Sequence, residues 1–265
     1  MSKLFTIFGN PVSHSISPLI HNYTIKSLGA KACYTRTRLD DGAKIRDRFF
    51  SLDISGANVT VPFKEDAFLL CDKIEGIAKE IKAVNTIVKK DTKLIGYNTD
   101  APGFYESIKE FDGIKSVLIL GAGGTAKAIS IFLKEKGLNV TILNRSEKRL
   151  GFFIDTGFEA YSWSDYEPTS YDLVVNTTSA GLKDENLPLK ENILSNILKD
   201  TKYAVDAIYN KQTPFLKLAR KLNLHTKDGT DMLIYQAVLA FEIFFDRKYK
   251  REDIKRYMFE ALALL

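Results

Sequence analysis

The chain has 265 residues, 45% hydrophobic and 27% charged, with 38 Lys and Arg against 33 Asp and Glu for a net charge of +5. That balance belongs to a soluble globular protein with room for two modest domains or one large one. Scattered lysines argue against a nucleic-acid partner, no apolar run is long enough to span a membrane, and two cysteines, Cys33 and Cys71, exclude a disulfide framework; nothing supports a metal site.

The first segment, Met1-Ser2-Lys3-Leu4-Phe5, enters a strand at once and lacks the apolar stretch of a signal peptide, so the expected compartment is a reducing cytoplasm. Leu4–Phe8 is the first predicted strand. Ser17-Pro18 opens a helix, with a capping residue and a proline in its first turn, and Gly29 ends it. Tyr34–Leu39 is a second strand, Ala43–Leu52 a helix, and Ala57–Val61 a third strand closed by Pro62, which has no N–H to donate. Thr86–Lys89 and Leu94–Tyr97 flank a hairpin turn, and Pro102 starts a helix running to Glu110. Ser116–Leu120 is a strand, Ala128–Lys136 a helix and Asn139–Leu143 the next strand. Later strands are Tyr171–Asn176 and Tyr203–Ala207, Thr213-Pro214 caps a helix, and the tail from Met232 is helical with a break near Asp246–Lys250. Alternating strands and helices predict an α/β fold with parallel sheets. Two domains are expected: residues 1–100, completed by C-terminal helices over 237–265, and residues 101–236.

The second domain carries the clearer chemistry. Gly121-Ala122-Gly123-Gly124-Thr125-Ala126 is a G-x-G-x-x-A turn between a strand and a helix, the context in which glycines let the backbone approach a pyrophosphate. An NAD site places Asp or Glu at the tip of the following strand; here that tip reads Asn144-Arg145-Ser146-Glu147-Lys148-Arg149. Arg145 can lie over the adenine or fork onto a ribose 2′-phosphate, with Arg149 or Lys148 adding charge, so the pattern predicts NADP(H); the alternative is a solvated polar turn opening the next helix.

In the first domain, Gly56-Ala57-Asn58-Val59-Thr60-Val61-Pro62-Phe63-Lys64 sets Asn58 and Thr60 two apart on a strand, hence on one face, with a lysine at the strand's end. A lysine beside fixed hydrogen-bonding groups suits a small polyhydroxylated ligand with a proton to move; the alternative is a plain edge strand followed by a helix. Ser15 and Ser17, before a helix N-terminus, suit a carboxylate, although Ser17 also reads as a simple cap. Asn85 and Asp100 adjoin strands, and Asp100 is again a possible helix cap. Gln236 lies near the start of the tail helix. Of the three histidines, His14, His21 and His225, none has an evident partner in this constellation, and structural roles are expected.

In sequence order these segments resemble the shikimate dehydrogenase family over essentially the full length. The resemblance rests on Ser15-Ile16-Ser17-Pro18, Asn58 to Lys64, Asn85-Thr86, Asn98-Thr99-Asp100, Gly121 to Gly124, Asn144-Arg145-Ser146 and Asp206-Ala207-Ile208-Tyr209. It implies an N-terminal α/β substrate domain joined to a Rossmann-type NADP-binding domain. It further implies NADPH-dependent, reversible reduction of 3-dehydroshikimate to shikimate, a step toward chorismate and the aromatic amino acids, by a monomer or homodimer. Carried over, the family's roles give Ser15 and Ser17 to the substrate carboxylate, and Thr60, Asn85, Asp100, Tyr209 and Gln236 to the ring hydroxyls. Lys64 becomes the proton-transfer residue with Asp100 as its partner. Gly121, Ala122, Gly123, Gly124, Thr125, Asn144, Arg145, Ser146, Arg149, Ile208 and Gly229 line the cofactor site. Two departures stand out: the family's proline soon after the tyrosine is replaced by Asn210-Lys211-Gln212, and Asp231 occupies its second glycine in Gly229-Thr230-Asp231-Met232-Leu233. That acid is expected to disturb packing or charge balance near the cofactor. The competing readings are a quinate or amino-shikimate dehydrogenase of the same superfamily, and a non-catalytic NADP-binding regulatory protein.

Overall fold

The computed structural model describes residues 2–265; Met1, the start of the predicted first domain, lies outside the described residues. The chain divides into two compact units, Met1–Gly103 with Ile234–Leu265, and Phe104–Leu233. Both are α/β, and among the described residues no helix is long and apolar enough to cross a membrane.

The first unit contains β1 (Lys3–Gly9), α1 (Ser17–Ser27), β2 (Ala32–Arg38), α2 (Ile45–Ser51), β3 (Ile54–Val59), α3 (Lys64–Leu70), β4 (Lys73–Ile74), α4 (Ala78–Ile81), β5 (Thr86–Lys90), β6 (Lys93–Tyr97) and the start of α5 (Asp100–Ile108). Its sheet runs β2-β1-β3-β5-β6-β4, with β1 parallel to β2 and β3, and the β5–β6 hairpin antiparallel. Both faces are covered, so β1 is buried continuously from Phe5 to Gly9 rather than at alternate residues. Phe5 and Ile7 join one core with Phe241, Phe244 and Met258, while Phe8 joins another with Phe49, Val59 and Phe63.

The second unit contains β7 (Ser116–Leu120), α6 (Gly124–Glu135), β8 (Asn139–Asn144), α7 (Gly151–Asp155), β9 (Glu159–Ser162), β10 (Leu173–Asn176), α8 (Glu191–Leu198), β11 (Tyr203–Asp206), α9 (Pro214–Lys221) and β12 (His225–Lys227). Helices α10 (Thr230–Phe244) and α11 (Arg251–Leu262) complete the chain, and the division between units falls inside α5 and α10. The second sheet is wholly parallel, in the order β12-β11-β10-β7-β8-β9. That is the doubly wound Rossmann order, with its switch point between β7 and β10, where ligands bind beyond the carboxyl ends of the strands. Val117 and Ile119 face one core, Leu118 and Leu120 the other.

Several sequence expectations need correction. β3 ends at Val59, two residues early: residues 61–63 form a turn in which Phe63 N–H reaches Thr60 O at 3.1 Å, while Thr60 N–H bonds Phe8 O at 2.9 Å. Thr60 therefore lies just past the strand that carries Asn58. β3 is also central rather than an edge. Ser17 is not a cap: it is the first residue of α1, and Ile16 precedes it without a side-chain bond. Helix α5 begins at Asp100 rather than Pro102, and α6 begins at Gly124 rather than Ala128. Gly29 does end α1: at φ +61° its N–H reaches Lys26 O, and Ala30 N–H reaches Ile25 O.

Candidate active site

The chemistry of the first unit centres on Lys64 and Asp100. Lys64 opens α3, where a cation is unfavourable against the positive end of the helix dipole. Its compensation is tertiary: Nζ donates to Asp100 Oδ2 at 2.5 Å, with the two side chains 29% and 17% exposed. Asp100 opens α5 yet does not cap it. Asn98 Oδ1 accepts the N–H groups of Asp100 at 3.1 Å and Ala101 at 3.3 Å, which releases the carboxylate. Its other oxygen accepts from Asn85 Nδ2 at 2.8 Å. Asn85 is buried, and its Oδ1 accepts Thr99 N–H at 2.8 Å, so its amide is fixed in orientation. The result is an ammonium and a carboxylate held side by side and partly open to solvent.

The remaining predicted substrate residues have more varied placements. Ser15 Oγ donates to Ser17 Oγ at 3.1 Å, and Arg36 Nε holds the loop by donating to Ser15 O at 2.9 Å. Thr60 is half-buried beside Gly9, where a Cβ would lie 2.5 Å from Thr60 Cγ2; a glycine is needed for that close approach. Gln236 lies in α10, its backbone so close to Gly103 of α5 that a Cβ there would meet Gln236 N at 2.6 Å. Tyr209 belongs to the second unit, on the loop after β11. None of the histidines joins the lysine. His14 is exposed, His225 lies on β12, and His21 is buried, stacked on Tyr34 and held neutral by burial with its pKa lowered to about 3.

In the second unit a cavity of about 700 Å³ opens at the switch point. Gly121, at φ +106°, turns the chain out of β7, and a Cβ there would crowd Thr177 Oγ1 at 2.9 Å. Gly123 and Gly124 face open space, and the early start of α6 leaves the N–H groups of Gly124, Thr125 and Ala126 without intrahelical acceptors. Those groups suit a pyrophosphate. Gly121, Ala122, Gly123, Asn144, Arg145 and Arg149 line the cavity; Gly124, Thr125, Ser146, Ile208 and Gly229 do not. The tip of β8 carries Asn144 rather than a carboxylate, and its amide donates to Ser146 O at 2.8 Å. The donor set therefore fits a 2′-phosphorylated dinucleotide.

Trp163 and the stretches 177–180 and 184–189 also line this cavity and were not singled out from the sequence. Only the parallel order of β7 and β10, which brings the loop after Asn176 beside Gly121, would have pointed to them. Asp184 organises that loop: the N–H groups of Gly181 and Asn186 hold its carboxyl below the usual range.

The loop bearing Tyr209 is anchored by Asp206, which accepts from Thr213 Oγ1 at 2.6 Å, Asn176 Nδ2 at 3.1 Å and Ile208 N–H at 3.0 Å. Burial pushes the Asp206 carboxyl up despite these bonds. Just after Tyr209, Asn210 adopts φ +55°, a left-handed turn conformation that asparagine tolerates better than most residues. Gly229 packs so tightly on this loop that a Cβ would lie 2.3 Å from Ala207 O. Asp231 does not leave an uncompensated charge, contrary to expectation. Lys227 Nζ donates to it at 2.6 Å, to Ser107 O at 2.9 Å, and pairs with Glu110 at 3.0 Å. Burial opposes the Lys227 charge, but Asp231 and Glu110 outweigh it and raise the pKa.

Residues 7–87 match the family profile described as shikimate dehydrogenase substrate binding domain, and residues 229–256 match that of the shikimate 5′-dehydrogenase C-terminal domain. A shikimate dehydrogenase (NADP(+)) of Helicobacter hepaticus is 49% identical over 257 residues, covering 96% of each chain. The shikimate dehydrogenase structure from Aquifex aeolicus superposes with a TM-score of 0.84 at 35% identity, covering 97% of both chains. The shikimate 5-dehydrogenase of Thermus thermophilus, solved in complex with NADP(H) and shikimate, gives 0.84 at 31% identity over 98% of this chain and 99% of that one. The chain belongs to the shikimate dehydrogenase family.

Proposed function

We propose that the protein catalyses the reversible, NADPH-dependent reduction of 3-dehydroshikimate to shikimate, as an oxidoreductase of aromatic amino-acid biosynthesis. The observation that carries this reading is the Lys64–Asp100 pair braced by Asn85, since a regulatory protein that had lost catalysis would have no need to keep it. The first unit is the substrate domain and the second the NADP domain. Ser15 and Ser17 receive the substrate carboxylate; Thr60, Asn85, Asp100, Tyr209 and Gln236 surround the ring hydroxyls.

NADPH, when bound by the α6 N-terminus with Asn144, Arg145, Ser146 and Arg149, supplies the hydride. Ile208, on the Tyr209 loop, and Gly229, packed against that loop, complete its site. As the substrate carbonyl takes up negative charge, the Lys64 ammonium stabilises the oxygen and then donates a proton to it. Asp100 keeps the ammonium aimed and accepts a hydrogen bond from a neighbouring hydroxyl. In the reverse direction the lysine receives the hydroxyl proton. Two free thiols, Cys33 exposed and Cys71 partly buried, suit work in a reducing cytoplasm.

The test is an absorbance assay at alkaline pH with shikimate and quinate, each with NADP⁺ and NAD⁺. The reading expects turnover with shikimate and NADP⁺ well above the other three pairs. Preference for quinate or NAD⁺ would transfer the protein to the neighbouring activity, and absence of turnover would favour the regulatory alternative.

A further inference from the structure

A run of side-chain hydrogen bonds leads from the Tyr34 phenol to the lysine–aspartate pair. Tyr34 donates to Asn58 Oδ1 at 2.7 Å, Asn58 Nδ2 to Thr86 Oγ1 at 3.0 Å, and Thr86 to Asn85 Oδ1 at 3.0 Å. Asn85 Nδ2 closes the run on Asp100 Oδ1 at 2.8 Å.

The direction of the run has a cause. An ionised carboxylate only accepts, so Asp100 draws the Asn85 NH₂ toward itself and turns the amide oxygen to Thr86. Thr86, its proton committed, presents a lone pair to the Asn58 NH₂, which turns Asn58 Oδ1 to the phenol. Tyr34, Asn58, Asn85 and Thr86 are all buried, so no bulk water substitutes for a broken link. Tyr34 is held in plane by His21, their rings stacked at 4.3 Å and 3°.

We propose that Tyr34 and Asn58 are positioning residues that fix Asp100 beside Lys64, acting through Thr86 and Asn85. The proposal rests on the shikimate reading of the site.

Tyr34→Phe keeps the ring on His21 and deletes one hydroxyl, leaving Asn58 Oδ1 without its donor. Initial rates of shikimate oxidation with NADP⁺ are measured for the parent chain, Y34F, D100N and the double variant. Y34F is expected to raise the KM for shikimate about tenfold and lower kcat a fewfold, with the KM for NADP⁺ within about twofold of the parent. Because Tyr34 acts through Asp100, the double variant falls within about threefold of the worse single one. Thr86→Val cuts the run at a second link and should reproduce the pattern; if thermal unfolding shows Y34F to be misfolded, T86V decides by the same criteria. The proposal is overturned if folded Y34F or T86V keeps kcat and shikimate KM within about twofold of the parent, or if the Y34F and D100N losses simply multiply. A parent chain inactive on shikimate overturns the functional assignment instead.

Discussion

Asp100→Asn alters one atom of the side chain, yet it removes the charge opposite Lys64. Both carboxylate oxygens now accept, one from Asn85 Nδ2 at 2.8 Å and the other from Lys64 Nζ at 2.5 Å. An amide offers one acceptor and one donor, so one of these contacts must set donor against donor. Asn85 cannot flip to relieve it, because its Oδ1 already accepts Thr99 N–H at 2.8 Å. The variant therefore loses either the brace or the grip on the ammonium. A charge-assisted hydrogen bond in such a partly buried site contributes about 1.5–3 kcal/mol. At about 1.4 kcal/mol per factor of ten, kcat should fall roughly 10- to 100-fold. The KM for shikimate should rise as well, since Asp100 also binds a hydroxyl, whereas the KM for NADP⁺ should not move. Steady-state oxidation of shikimate by NADP⁺ reads all three. A D100N enzyme with kcat within about twofold of the parent would refute the role given to the pair.

Removing both Arg145 and Arg149 to Ala should raise the KM for NADP⁺ on the order of 10- to 100-fold while leaving weak NAD⁺ use unchanged, as loss of a bidentate phosphate contact requires. Equal losses with both cofactors would mean the arginines only shape the loop. His21 titrates near pH 3 when folded against an ordinary 6.5. The unfolded chain thus binds a proton that the folded one refuses, and stability present above pH 6.5 is lost as pH falls, by about 1.4 kcal/mol per unit once the unfolded histidine is charged. His21→Phe, which keeps the stack on Tyr34, should flatten this decline between about pH 6 and 4.5 in urea titrations; an unchanged slope would contradict the burial argument. Asp231→Gly deprives Lys227 of a 2.6 Å partner and should lower stability by about 1 kcal/mol, read by urea unfolding, with cofactor affinity unchanged. A marked rise in the KM for NADP⁺ would show that the acid matters to the cofactor after all.

Much of this architecture is legible in local sequence. The Gly121 turn sits between an apolar strand and a helix, and its glycines announce the backbone geometry by themselves. The missing carboxylate at Asn144 is likewise a one-residue observation. What escaped sequence reading depends on distant partners. Asp100 and Ser17 both look like helix caps, and only the folded chain shows Asn98 serving α5 and leaving Asp100 to Lys64. Thr60 follows the period of β3 on paper, but the strand stops at Val59 and a turn follows at 61–63. β4 and β12, two and three residues long, are strands only because a neighbour pairs with them. Asp231 reads as a disturbance until Lys227, four residues earlier on a different element, is seen to meet it.

The most direct test of the account is the kinetics of Lys64→Ala. With purified parent and variant, shikimate and NADP⁺ are varied and both kinetic constants are extracted. Loss of the group that carries the proton and stabilises the oxygen should lower kcat by about 10²- to 10⁴-fold, with the KM for shikimate changed far less. A variant that keeps its kcat and suffers only in KM would show that Lys64 merely holds the ligand, and would contradict the account.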